Sequence, residues 1–521
     1  MPSLLAGNCQ NGLAARATFV TFCVVGYSPK LCYNATMKQR HYWLRQSYKL
    51  LLIFLLVILS ACTPNPKPAQ ESLNSLLQQA DKLIQERRTS EAINQLERAA
   101  RLYADAPSPL IKIGQIYVMQ QRWLLAEDAF NRALARNLND PLAMAGLAET
   151  KLNQGDTLRA LELWRKAVDI NSNLPGVYTG LGRTHLARFE FEAAEKAFLQ
   201  QQTHRSDPEA QWFLAALTAP RDVSTANDYL LSIPLESSPD VLARRDYLLA
   251  TLVPFTSETP PAETAKATGI ALVQVGLWPL AAHALTQAAE QLDDFSPQEQ
   301  AEILAFLGHG LGQAGRPAFD LLEQAKALNP NSALPLYFHG IYLRQQGALR
   351  AAEDLLTQAI ALDPENAAIY VELALTLAEQ GNFSSAEESY IIAGKLAEDN
   401  LQIQLARLHF YAGRGYKMVE TGIPAAEEII SKNEDNAEAH DLLGWMLFLT
   451  GNTTEAESAL RRAIELDPKL VSASYHLARY YNNNGQSSAA LSEYQHVVDW
   501  DTSGIFRARA LKEMQRLNNQ P

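Results

Sequence analysis

The segment Ala437–Leu470, AEAHDLLGWMLFLTGNTTEAESALRRAIELDPKL, constrains the fold more than any other stretch. Leu443, Gly444 and Leu447 fall three and four residues apart, the spacing that stacks side chains on one face of a helix. Gly451 suits the left-handed position that closes such a helix. Thr454 followed by Glu457 predicts a capping box opening a second helix. That helix carries Ala456, Leu460 and Ala463 on its apolar face and ends before Pro468. Two short helices cannot bury their apolar faces alone, so the unit needs copies of itself on either side.

The copies recur at a period of 34. Gly451 returns as Gly485, Gly444 as Ala478 and Ala456 as Ala490. Near the start of the array, Gly114, Ala148 and Gly182 form one row, and Ala126, Ala160 and Ala194 another. Phe130, Trp164 and Phe198 place a large ring at one repeated position. In the middle, Gly347 matches Gly381, Ala352 matches Ala386 and Pro330 matches Pro364. Small residues recur where helices approach closely, and bulky ones where a gap must be filled. Over roughly residues 71–504 the pattern resembles the tetratricopeptide family, whose repeats carry small residues at their eighth and twentieth positions and Pro near the thirty-second. The resemblance implies an all-α superhelical solenoid of helix-turn-helix repeats. It speaks to architecture and says little about chemistry.

Within this frame the chain divides into an N-terminal array at 72–217, degenerate repeats with a loop at 218–261, a C-terminal array at 262–504, and a capping helix and tail at 505–521. The break is marked by Pro220, Pro234, Pro239, Pro254, Pro260 and Pro261, which remove donors and end helices. Around Gly413 to Pro424 an insertion separates the two helices of one repeat. Ile505 to Leu517 is amphipathic and basic, as expected of a helix covering the last apolar face of a solenoid.

Upstream of the array, Met37 opens a segment with the order of an export signal. Lys38, Arg40, Arg45 and Lys49 precede the ten apolar residues Leu50–Leu59, a run shorter than the about 20 needed to span a bilayer. Leu59-Ser60-Ala61-Cys62 resembles a bacterial lipobox, which implies a signal peptide at 37–61 and diacylglycerol plus acyl chains such as palmitate on Cys62. On this reading Met37 is the start of translation and residues 1–36 are an over-extended, disordered N-terminus. The alternative is an uncleaved anchor helix, which makes the chain an inner-membrane organiser. A Pro-rich tether, 62–71, then holds the array off the lipid surface. By resemblance to Gram-negative lipoproteins, Thr63 in place of Asp after the cysteine favours the outer membrane, facing the periplasm.

Composition excludes several functions. The chain has 45 basic and 57 acidic residues, and six of the basic ones precede Cys62 with no acidic residue among them. An acidic body argues against nucleic acid as the main partner, since phosphate binding draws on clustered Lys and Arg. All four cysteines (Cys9, Cys23, Cys32, Cys62) lie at or before the lipobox, so the repeats hold no disulfide, thiolate metal site or thiol nucleophile. Gly310-Leu-Gly312-Gln-Ala-Gly315 matches GxGxxG but follows no strand, and reads as packing and turn glycines. Histidines are scattered singly; His440 and His476 occupy near-equivalent positions and could approach each other, or simply form a polar patch. No catalytic, cofactor or metal residues are predicted, and the chain does not read as an enzyme.

What remains is surface. In tetratricopeptide folds, first helices line the concave groove through their second, fifth, ninth, twelfth and thirteenth positions. Carried onto this sequence, those positions hold Tyr337, Ile341 and Arg344 in one repeat, Trp445, Phe448 and Leu449 in another, and Tyr475, Arg479, Asn482 and Asn483 in the last. The N-terminal repeats are blander there, with Leu142, Ala145 and Leu152, then Gly176, Thr179 and Ala187. Aromatic groups in a groove suit capture of extended or helical peptides; otherwise these rings pack against the adjacent repeat. The expected function is a lipid-anchored scaffold for protein partners in a bacterial envelope assembly, namely a pilus, secretion or exopolysaccharide export system. A polysaccharide-binding adaptor using the same groove is the alternative.

Overall fold

The computed structural model describes residues 72–501 and 504–519. The export signal, Cys62 and the tether lie outside the described residues, so only the repeat body is treated below. Among the described residues there are 26 α-helices and no strand. Twelve antiparallel pairs account for all but two of them. The pairs run from α1/α2 (Leu73–Gln85, Thr89–Leu102) and α3/α4 (Ser108–Met119, Trp123–Arg136) through α5/α6 (Pro141–Asn153, Thr157–Ile170), α7/α8 (Val177–Ala187, Phe191–His204) and α9/α10 (Pro208–Thr218, Val223–Leu231). After the single helix α11 (Pro239–Leu252) come α12/α13 (Pro261–Gln274, Trp278–Ala289), α14/α15 (Pro297–Gln313, Phe319–Leu328), α16/α17 (Ala333–Gln345, Leu349–Leu362) and α18/α19 (Ala367–Gln380, Phe383–Leu396). The last pairs are α20/α21 (Leu401–Arg414, Ile423–Lys432), α22/α23 (Ala437–Thr450, Thr453–Leu466) and α24/α25 (Val471–Asn483, Ser487–Trp500), and α26 (Ile505–Asn518) packs on the end.

The repeated rows explain the pairing. Ala92, Ala126, Ala160, Ala194, Ala281, Ala352, Ala386, Ala456 and Ala490 are all fully buried, one in each of nine of the twelve second helices. Opposite them, first-helix glycines leave room for a neighbour's bulk. A Cβ on Gly114 would lie 2.6 Å from Phe130 Cε1, one on Gly182 2.5 Å from Phe198 Cε1, and one on Gly444 2.7 Å from Leu460 Cγ. Phe130 also fills the space at Gly146 of the next repeat, where a Cβ would meet its Cε2 at 2.8 Å. Each ring therefore locks its own pair and the next one. Short side chains cap five of the first helices: Asp140, Asp207, Asn366, Asn400 and Asn436 accept backbone N–H groups at their N-termini.

The turn between α9 and α10 has no left-handed residue, but in the other eleven of the twelve pairs the turn contains one. Glycine supplies it at Gly155, Gly347, Gly381 and Gly451, whereas Arg87, Gln121 and Phe189 adopt φ near +60° in the equivalent N-terminal turns. The capping box expected at Thr454 and Glu457 is absent. Helix α23 begins two residues earlier, at Thr453 with Asn452 as its N-cap, and Glu457 instead accepts from Arg461 and Tyr480. A complete capping box stands at Ser296 and Glu299, before α14.

At 218–261 the 34-residue phase is lost because α10 is short and α11 is a helix without a partner of its own pair. Packing is not lost with it. One apolar cluster runs from Leu186 through Val223, Leu230, Val241, Leu248 and Leu252 to Leu307. The insertion after α20 is a π-helical turn, Met418–Gly422. It is tied back by Lys417 Nζ, 2.5 Å from Glu387 Oε2, while the Tyr411 hydroxyl donates to Glu387 Oε1 at 3.1 Å.

Candidate functional site

First helices carry a line of charge and rings whose geometry decides what the groove can offer. In the N-terminal array the line is a closed ion network. Arg183 Nη1 donates to Glu149 Oε1 at 3.0 Å, and its Nε lies 3.7 Å from Glu209. Burial pushes the Glu209 carboxyl up from its ordinary range, against the pull of Arg183. In α16, Arg344 is held the same way: Nε donates to Glu372 at 3.1 Å and Nη1 to Glu379 at 3.0 Å. A guanidinium satisfied by two carboxylates is not a free clamp for a partner's carboxylate. Tyr337, partly buried beside it, has its phenol pushed up to about 12 by burial. Ile341 is buried against Phe338 and its neighbours, so it belongs to the core rather than to a surface.

The C-terminal array differs. Trp445 of α22 is partly exposed and lies flat on the His476 ring of α24, with centroids 4.2 Å apart and planes 14° apart. His476 Nδ1 is 2.7 Å from Asp441 Oδ1, and Asp441 is itself 1% exposed. Phe448 sits beside Trp445 at 5.5 Å, and Leu449 beyond it is 44% exposed. The result is an indole face held from behind by a ring whose orientation a buried carboxylate fixes. Tyr475, expected in the groove, is buried and packs on Tyr494 and on Phe506 of α26, because the capping helix folds over it. Arg479 and Asn482 are partly exposed and Asn483 is exposed, with Arg479 Nη1 3.5 Å from the Tyr475 hydroxyl.

His440 and His476 do not meet. His440 Nε2 lies 3.0 Å from the Glu434 carbonyl, while His476 pairs with the residue after His440. Asp441 carries no signal in the sequence, since one more carboxylate in an acidic chain is not distinguishable until its burial is known. Gly310 and Gly312 lie inside α14 and Gly315 makes its left-handed exit, a helix end with no strand before it.

A further cavity of about 720 Å³ opens where the repeat phase breaks. Tyr247, Phe255 and Phe295 wall it, and Lys266 spans Glu299 and Glu302 at 3.1 and 3.0 Å. Among the described residues no group of three or more His, Cys, Asp or Glu side chains is placed to hold a metal ion. Nor is any described helix long and apolar enough to cross a membrane.

Paired helices stacked side by side, with small residues at the crossings and rings aimed from first helices, define an α-solenoid interaction module. Models of the tetratricopeptide repeat match residues 77–141, 111–175, 343–414 and 437–470. Such repeats bind protein or peptide partners. No curated protein matches the chain. Similar solved structures include yeast Tom70, 13% identical over 86% of this chain and 95% of that one, with a TM-score of 0.39. A tetratricopeptide repeat protein from Parabacteroides merdae is 13% identical over 50% of this chain and 99% of that one, at 0.41. YrrB, described as having an unusual peptide-binding site, is 19% identical over 37% and 97%, at 0.28.

Proposed function

We propose that this chain is a lipid-anchored scaffold of the bacterial cell envelope that holds extended or helical protein segments along its first helices. Its principal contact is placed in the C-terminal array. The Trp445 platform carries this reading: a partly exposed indole, backed by His476 and Asp441 and flanked by Phe448 and Leu449, is a prepared aromatic anchor point. Rigid aromatic anchors commonly dominate binding energy, at about 2 kcal/mol or more each on truncation. The envelope setting, with a pilus, secretion or exopolysaccharide export machine as the assembly served, rests on the export signal and lipobox of the sequence.

Two experiments test the two halves. A photo-crosslinking residue at Leu449 in living cells should trap protein partners, and Trp445→Ala with Phe448→Ala should abolish the product at unchanged thermal stability. Loss of stability before loss of crosslinking would make these rings core and refute the site. Crosslinks to glycan instead of protein would favour a polysaccharide adaptor. Separately, Cys62→Ala should end incorporation of labelled palmitate and leave an unprocessed precursor; equal labelling would remove the anchor.

A further inference from the structure

The solenoid touches itself across a long stretch of chain. Arg122, in the turn between α3 and α4, meets Asp499 at the end of α25, with Nη2 2.5 Å from Oδ2 and 377 residues between them. The side chains are 16% and 20% exposed. The guanidinium also lies 5.1 Å from the Tyr117 ring centroid and 5.3 Å from that of Trp500. Trp500 in turn has Lys469 Nζ over its ring at 5.7 Å and the His496 ring stacked at 5.8 Å, and His496 Nδ1 is 3.0 Å from Ser474 Oγ. A second crossing lies elsewhere on the body: Arg316 donates to the Arg188 carbonyl at 3.3 Å and sits 4.7 Å above the Phe189 ring.

These contacts differ in kind from those that build the repeats. Neighbouring repeats are joined by buried alkyl and aromatic surface, which no single substitution removes. The Arg122 crossing is a polar joint, made by one cation, one carboxylate and two ring faces. Partial burial strengthens its Coulomb and cation–π attraction while costing the desolvation of both charges. It also carries a cost, because Arg122 Nε is buried without an acceptor. A joint with strong points of attachment and an unsatisfied donor is suited to opening as a unit. Both crossings involve turns with a left-handed non-glycine residue, Gln121 beside Arg122 and Phe189 beside Arg188. At Phe189 the ring that contacts Arg316 belongs to the strained residue itself, so the contact offsets that strain.

We infer that Arg122, Asp499 and Trp500 form a clasp that closes the solenoid on its own second repeat in solution.

The test uses the full chain with its four native cysteines replaced by serine. Spin labels on Asn131→Cys and Ser492→Cys, both exposed positions near the joint, report the closure by pulsed dipolar spectroscopy. A single narrow distance is expected in the parent. Arg122→Glu should broaden it towards longer values without changing the helical signal or the melting of the body, and adding Asp499→Arg should narrow it again. A broad parent distribution, or one that Arg122→Glu leaves unchanged, overturns the clasp. Failure of the Trp445 site would be separate, since Trp445→Ala with Phe448→Ala leaves the label distance untouched whether or not those rings bind a partner.

Discussion

Gly146→Ala tests the packing on which every other statement about the array depends. Gly146 lies within helix α5, where alanine by propensity alone would stabilise by about 1 kcal/mol. Against this, the new Cβ would stand 2.8 Å from Phe130 Cε2 and closer still to Cζ and Cε1. Carbon atoms rest about 3.5–4 Å apart, so the ring must withdraw by well over about 1 Å at its nearest atoms. It has little room to do so, because Phe130 is fully buried and its Cε1 and Cζ edge also fills the space left by Gly114. Overpacking of this kind costs about 1–3 kcal/mol, and here it should fall at the upper end and outweigh the propensity gain. The expected net is a destabilisation of about 1–2 kcal/mol. Gly394→Ala is the matched control: it lies within α19, and its Cβ would meet nothing within 4 Å. That substitution should stabilise by about 0.5–1 kcal/mol. Urea unfolding followed by helical circular dichroism compares the two midpoints, and adding Phe130→Leu to Gly146→Ala should recover part of the loss non-additively. A Gly146→Ala chain as stable as the parent would show that the ring is free to move, and the interlocking account of the repeats would be wrong.

Three further outcomes follow from the same structure. Arg87→Gly should stabilise by about 0.5–1 kcal/mol, since Arg87 is exposed and holds φ +60°; an unchanged or lower urea midpoint would mean the turn is not strained. Burial against Phe338 and Trp278 lowers the His309 pKa to about 4, so the unfolded chain takes up this proton first as pH falls. Stability should therefore be fully present above about pH 6.5 and decline towards pH 4, and His309→Phe should lessen that decline; an unaltered pH profile refutes the assignment. Limited proteolysis should cut first in the loop between α11 and α12, yet the nicked halves should stay together in size-exclusion chromatography because one apolar cluster bridges them. Separation of the fragments under native conditions would show that the cluster does not hold.

Much of the array was legible because its causes are short-ranged. The small-residue rows, the ring row at Phe130, Trp164 and Phe198, and the left-handed turn at Gly451 answer to contacts made within one repeat or between adjacent ones, so they recur at the repeat length. The positive-φ turns at Arg87, Gln121 and Phe189 were hidden, because residues that tolerate strain do not announce it by type. Ser296 and Glu299 show the converse: the capping signal was present in the letters, but Thr454 and Glu457 carry the same signal, and only a two-residue difference in helix start decides between them.

The site was less legible. Trp445 and Phe448 could be placed on a first helix by position, whereas the burial of Ile341 and Tyr475 depends on which neighbour covers them, and for Tyr475 that neighbour is the capping helix. His476 found Asp441 instead of His440 because one step along a helix turns a side chain by about 100°, enough to exchange a buried partner for an exposed one. The sequence by itself determined the repeat, its packing rows and its turns. Only the tertiary structure decided that Arg122 reaches Asp499, because that meeting is the sum of small rotations between successive repeats, and no pattern local to either residue contains the sum.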